Sequence, residues 1–180
     1  MNVEGKDPCE LAEIVYEKPL AGVFEEKSFG SDLGNTLWVK FSDAHGINEW
    51  IGKFGTGVYG SNYIEKVGEP DQFFVSAGGF GYLIDATQRK VLDHHFDEFS
   101  NGIAYDPKSK RYIVAGHTHL RLIQSGQTLW ESMKFATDGI RNFKVEGRII
   151  KGFATIDYEG KETEFAFDMD ALTIQLLKAK

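Results

Sequence analysis

The stretch NGIAYDPKSKRYIVA at residues 101–115 returns 37 residues later as DGIRNFKVEGRIIKG at 138–152. Gly102-Ile103 aligns without a gap with Gly139-Ile140, Arg111-Tyr112-Ile113 with Arg148-Ile149-Ile150, and Ala115 with Gly152. Upstream, VSAG at 75–78 aligns with IVAG at 113–116 at a spacing of 38, and YLIDATQRKVL at 82–92 echoes LRLIQSGQTLW at 120–130. Self-similarity at a fixed period marks supersecondary units that bury their apolar faces on one another. Residues from about 64 to 177 therefore read as three units of 37 to 39 residues.

Each unit reads as short strands separated by turns. In the second, Ile103–Tyr105 leads into DPKSK, where Asp and Pro start a reversal. RYIVAG, LRLIQ, the turn SGQ and TLWESMKF follow. The third runs as RNFKV, the turn EG, RIIKGFATID, the turn YEGK and ETEFAFDM. Phe165 and Phe167 share one parity of the last strand and Glu164 and Asp168 the other, the pattern of a half-buried strand. Gly102 and Gly139 occupy equivalent junctions, where a reversal into a buried Ile calls for positive φ. Blades of roughly 40 residues with about four strands point to a β-propeller.

Upstream, NTLWVKFSD and NEWIGKF read as a strand, turn, strand pair, and GTGVYGSNY as a glycine-rich connection. CELAEIVYE at 9–17 reads as a helical turn or a closing strand. The expected fold is a single all-β domain over 1–180: a small β-propeller of four or five blades, or propeller-like antiparallel repeats. A β-sandwich is the alternative. The 63 residues before the repeats do not divide into whole units, so a leftover strand must pair inside the ring or with a second chain.

Composition narrows the function classes. The chain has 180 residues, with 27 acidic against 20 basic side chains and a net charge of -7. That balance argues against nucleic acid and anionic membranes as partners, because both need a basic footprint. It favours a basic protein surface. The single cysteine, Cys9, excludes an intrachain disulfide and a cysteine-rich zinc site. No run of 18 apolar residues is present, and the first ten residues lack the basic start and apolar core of a signal peptide. Cytoplasmic localisation and no cofactor are the expectations.

YLIDATQRKVL, GHTHLRLIQSGQTLWES, DGI at 138–140, IIKGFATID and FAFDMDALTI together resemble a group of small, functionally uncharacterised bacterial proteins with propeller-like repeats. The resemblance covers mainly residues 73–177 and implies a fold with no reaction attached to it. The Trp-Asp dipeptide of WD-type repeats is absent, so it stops short of that family.

Two further motifs bear on chemistry. SDAHG at 42–46 and GHTH at 116–119 resemble the first and last motifs of calcineurin-like metallophosphoesterases. That resemblance implies Asp43, His45, His117 and His119 as metal ligands, with paired metals activating a water for attack on phosphorus. The Gly-Asp and Gly-Asn-His motifs that the family places between them are missing from residues 47–115. GHTH also fills the slot that GGFG holds in the preceding unit. On a strand, His117 and His119 would share one face, as would Asp93, His95 and Asp97 in LDHHFDEF. Trp38, Trp50, Phe54, Tyr59 and Tyr63 are dense enough for an aromatic surface.

The reading is a non-enzymatic binding or interaction protein that acts through the loops of a β-repeat scaffold, by self-association or with a protein partner. Asp43, His45, His117 and His119 are its candidate binding residues. The alternative is a metal-dependent phosphoesterase or related hydrolase using the His117/His119 pair.

Overall fold

Sixteen strands and no helix make up the described part of the chain. The computed structural model describes residues 11–30, 35–43, 48–58, 60–69, 71–95, 101–125 and 127–177, at 95 and 143 the backbone only. The strands form four four-stranded sheets, and the fold is all-β with propeller-like antiparallel repeats. Contacts divide the chain into two units, Met1–Asp97 and Glu98–Lys180, and each holds two sheets and its own core.

Three sheets are meanders. In unit 1, β5 (Tyr63–Lys66), β6 (Gln72–Ala77), β7 (Phe80–Asp85) and β8 (Lys90–His95) pair in sequence order. In unit 2 the same holds for β9 (Gly102–Asp106), β10 (Arg111–Ala115), β11 (Leu120–Gln124) and β12 (Gln127–Glu131). It holds again for β13 (Ile140–Glu146), β14 (Ile149–Thr155), β15 (Glu162–Asp168) and β16 (Thr173–Leu176).

The remaining sheet differs. CELAEIVYE supplies a strand, β1 (Ala12–Val15), which pairs with β3 (Thr36–Phe41). β3 pairs with β4 (Trp50–Gly55), and β2 (Glu25–Phe29) closes the far edge parallel to β4. The upstream residues thus build a full sheet of their own. Its fourth strand, β2, lies within the β1–β3 connection and is no leftover piece. Salt bridges from Arg89 to Glu25 and from Lys53 to Glu26 (3.3 Å) hold this short, polar edge strand in place, and Phe29 stacks on Phe54 at 5.2 Å.

Alternation decides which side chains enter the cores. Along β15, Phe165 and Phe167 are fully buried, while Glu162 and Glu164 are exposed. Phe167 stacks on Trp130 at 4.8 Å, and Phe165 meets the edge of Phe135 at 5.3 Å. Burying one such side chain contributes about 1.5–3 kcal/mol. In unit 1, Phe41 stacks on Trp50 at 4.6 Å, and Tyr82 donates from its hydroxyl to Gly55 O at 2.7 Å. Among the described residues, the aromatic run from Trp38 to Tyr63 does not form a surface. Trp50 and Phe54 are core residues, Trp38 and Tyr63 are half-buried, and Tyr59 lies outside the described residues.

One turn recurs three times. Asp85, Asp106 and Asp168 each end a strand and face Lys90, Arg111 and Thr173 across a four-residue loop. Each carboxylate accepts backbone N–H bonds from its own loop: from Gln88 at 2.7 Å, from Lys108 at 3.1 Å, and from Asp170 and Ala171 at 2.8 and 3.0 Å. The last loop residue has positive φ each time: Arg89 (53°), Lys110 (54°) and Leu172 (54°). The aspartate satisfies N–H groups that the reversal strands, which is why Asp recurs at turn starts.

Asp106 is buried. Burial alone would raise its carboxyl, but hydrogen bonds from Ser109 Oγ and the Lys108 and Ser109 N–H groups, with the charge of Arg148, hold it below the ordinary carboxylate range. A depressed carboxyl contributes stability above its unfolded pKa, about 4, and loses that contribution as pH falls through the folded value. Asp106→Asn removes the acceptor for Ser109, so it should cost about 1–2 kcal/mol at neutral pH. Urea denaturation should show the gap to wild type narrowing below about pH 4. A constant gap down to pH 3 would overturn this account.

Candidate functional site

GHTH is a hairpin loop, and not a stretch of strand. It joins β10 to β11, with Ala115 facing Leu120 and Gly116 N–H donating to His119 O at 2.9 Å. The loop of the preceding meander is two residues shorter, Ala77 facing Phe80, so the slot shared with GGFG holds only up to Gly78 and Gly116. The two histidines meet different carboxylates. His117 Nε2 lies 3.3 Å from Asp138 Oδ1, and His119 Nε2 lies 3.3 Å from Glu131 Oε1. Arg121 Nε donates to the other Glu131 oxygen at 3.1 Å, and Thr118 Oγ1 sits 3.3 Å from His119 Nδ1.

His119 is buried, and loop carbonyls accept bonds from the β12–β13 connection. Gly139 N–H donates to His117 O at 3.0 Å, and Phe135 and Ala136 donate to Thr118 O at 3.0 and 3.1 Å. These bonds tie the β10–β11 loop to the β12–β13 connection, so the loop braces unit 2. Among the described residues, no group of three His, Cys, Asp or Glu side chains stands together to hold a metal ion. Of the LDHHFDEF cluster, Asp93 and His94 lie on β8, and positions 96–99 lie outside the described residues.

Asp43 belongs to unit 1, just past β3, and His45 lies outside the described residues. Asp43 Oδ2 accepts from Asn48 Nδ2 at 2.6 Å across the β3–β4 loop. Both line a cleft of about 190 Å³ with Ser42, Trp50, Asp71, Phe73, Ala86, Thr87 and Arg89. Three connections of unit 1 meet here, and backbone and indole bonds fix their spacing. Ala86 N–H donates to Asp71 O at 2.8 Å, and Trp50 Nε1 donates to Ala86 O at 3.1 Å. The Arg89 guanidinium is held by Glu25, whose carboxyl it lowers.

A second surface of unit 1 is apolar. The β1–β2 connection leaves Tyr16, Leu20 and Val23 exposed at 90%, 79% and 60%. Beside it runs a groove of about 330 Å³ lined by Val15, Pro19, Leu20, Val23, Phe24 and Ile51, with Glu13 and Lys40 as its polar lining. Glu13 holds the Lys40 ammonium at 2.5 Å and Glu49 lies 3.5 Å from it, which raises the lysine above its ordinary value. The motif reading missed this surface. Its signal was YEKPLAGVF at 16–24, an apolar run broken by Pro and Gly that fits no strand.

Solved structures with similar folds include the WD40 domain of Neurospora crassa Pan2 and the WD40 β-propeller domain of Doa1. The first is 9% identical with a TM-score of 0.50, over 81% of this chain and 48% of that one. The second is 9% identical with a TM-score of 0.42, over 77% of this chain and 60% of that one. The chain therefore spans about half the length of the first and three fifths of the second. No protein-family model and no curated protein sequence matches it. At this identity the likeness to the Pan2 domain is one of fold alone: a propeller-like scaffold without the Trp-Asp dipeptide.

Proposed function

We propose that this chain is a non-enzymatic, cytoplasmic interaction protein that needs no cofactor and holds a basic protein partner on unit 1. The exposed trio Tyr16, Leu20 and Val23 beside an apolar groove carries this reading. Exposed apolar clusters on soluble chains mark interaction sites. Charge supports the choice of partner. Residues 1–97 hold 16 acidic and 8 basic side chains, and residues 98–180 hold 11 and 12. The acidic excess of the whole chain thus sits in the unit that exposes the trio. A complementary field speeds encounter and weakens as salt rises.

The test is capture from lysate at low and high salt, with light scattering to report self-association. The comparison protein carries Tyr16→Ser, Leu20→Ser and Val23→Ser, changes confined to exposed side chains. Basic proteins should be captured by wild type, lost at high salt, and reduced about tenfold or more in the triple variant. Capture indifferent to salt and to the triple variant would overturn the reading. Stoichiometric metal that disappears on changing His117 and His119 to Ala would replace it with the metal-dependent phosphoesterase.

A further inference from the structure

The apolar groove of unit 1 lies between the β1–β2 connection and the side of the first sheet that points away from the core. Alternation sends Val39, Phe41, Trp50 and Phe54 into the core, and leaves Glu13, Val15, Lys40 and Ile51 on the opposite side. Ile51 is nonetheless fully buried. Pro19, Leu20, Val23 and Phe24 of the connection form the other wall of the groove. Its volume of about 330 Å³ is just above the lower bound of ligand sites, about 300 Å³.

The polar end of the groove carries an excess of carboxylate. The Lys40 ammonium serves two groups, Glu13 at 2.5 Å and Glu49 at 3.5 Å, so one negative charge is left over. Glu17 and Lys18 of the connection offset each other. Glu13 is the accessible carboxylate, with a side chain 59% exposed against 29% for Lys40.

We propose that this groove takes an apolar side chain from a linear segment of the partner, with a basic residue beside it received by Glu13 and Glu49. An apolar anchor inside a charged rim is how binding energy concentrates at interfaces. The anchor lies on Val15 and Ile51, and the cation meets the carboxylate charge that Lys40 leaves over. One connection and one sheet face bound the groove, which suits a segment better than a broad folded surface. This contact rests on the reading of the chain as an interaction protein and names what its apolar surface holds.

Three capped tetrapeptides, Leu-Leu-Arg-Arg, Leu-Leu-Glu-Glu and Ser-Ser-Arg-Arg, serve as probes. Each is titrated into methyl-labelled protein, and the Leu20, Val23 and Ile51 methyl groups are followed by NMR. Leu-Leu-Arg-Arg should move all three, and the other two peptides should bind about tenfold more weakly. Ile51 decides between entry and adsorption, because it is buried while Leu20 and Val23 are exposed. Glu13→Gln should weaken Leu-Leu-Arg-Arg about threefold. Val15→Phe, which fills the groove, should abolish the Ile51 shift. Glu13 is exposed, so its variant keeps the test valid if Val15→Phe fails to fold. Equal binding of the three peptides, or shifts at Leu20 and Val23 with none at Ile51, would overturn the proposal. Ile51 shifts that follow protein concentration without peptide would also overturn it, by assigning the groove to a second copy of the chain. Capture of basic proteins without any binding of Leu-Leu-Arg-Arg would overturn the groove contact alone, whereas absence of capture would overturn the reading beneath it.

Discussion

Gly60→Ala should unfold this protein at markedly lower denaturant concentration, with a loss of about 3 kcal/mol or more. Two costs act together at this position. Its φ is +125°, a conformation that L side chains rarely adopt, and a Cβ there would lie 2.7 Å from both Cα and N of Gly79. Backbone atoms cannot rotate away as a side chain would. The crossing is tight on both sides. A Cβ at Gly57 would lie 2.4 Å from Gly78 O, and one at Gly78 would lie 2.5 Å from Gly57 O. Two hydrogen bonds pin the contact, Gly57 N–H to Ala77 O at 3.0 Å and Gly78 N–H to Asn62 Oδ1 at 2.7 Å. Gly160→Ala is the control, since Gly160 also has positive φ (+80°) but nothing within 4 Å of its Cβ position. It should cost only the backbone strain, about 1 kcal/mol. Equal losses in the two variants, measured by urea denaturation, would show that the close approach carries no energy.

That crossing was partly legible. GTGVYG reads as a glycine-rich connection, and GGFG stands out as a second glycine run. Which run met which was not legible, because the contact joins residues about twenty apart through two sheets. The periodic part of the chain read well for a physical reason. Meander sheets pair neighbours in sequence, so turn spacing and two-residue alternation carry nearly all the information. The junction glycines show the same locality, with φ of 155° at Gly102 and 103° at Gly139.

The unread features are the non-local ones. Placing β2 beside β4 takes a strand out of sequence order, and EEKSF has no alternation strong enough to announce it. The aspartate turn was read in DPKSK alone. Its equivalents DATQRK and DMDALT share only the leading Asp, because the device depends on a hydrogen-bonding oxygen and a backbone angle. The site followed the same rule. Asp43 was singled out through its neighbour in SDAHG, yet its cleft partners Asn48, Asp71 and Thr87 come from three connections, and no linear motif contains them.

Trp50 joins the core of unit 1 to that cleft, so its substitution separates packing from positioning. Trp50→Ala should cost about 3–5 kcal/mol, the usual loss on truncating a buried aromatic. The ring is 2% exposed, stacks on Phe41 with an interplanar angle of 18°, and meets Phe29 edge-on at 6.2 Å. Its Nε1–H also donates to Ala86 O, and Ala86 in turn donates to Asp71 O. Trp50→Phe keeps a ring against Phe41 but deletes this donor, leaving the Ala86 carbonyl short of a partner. The expected loss is about 1–3 kcal/mol. The β7–β8 connection would then be held from one side only, and Asp71 with it. A loss of only a few tenths of a kcal/mol in Trp50→Ala would contradict the packing seen here. Equal losses in Trp50→Phe and Trp50→Ala would show that the ring kept against Phe41 contributes nothing beyond the indole donor.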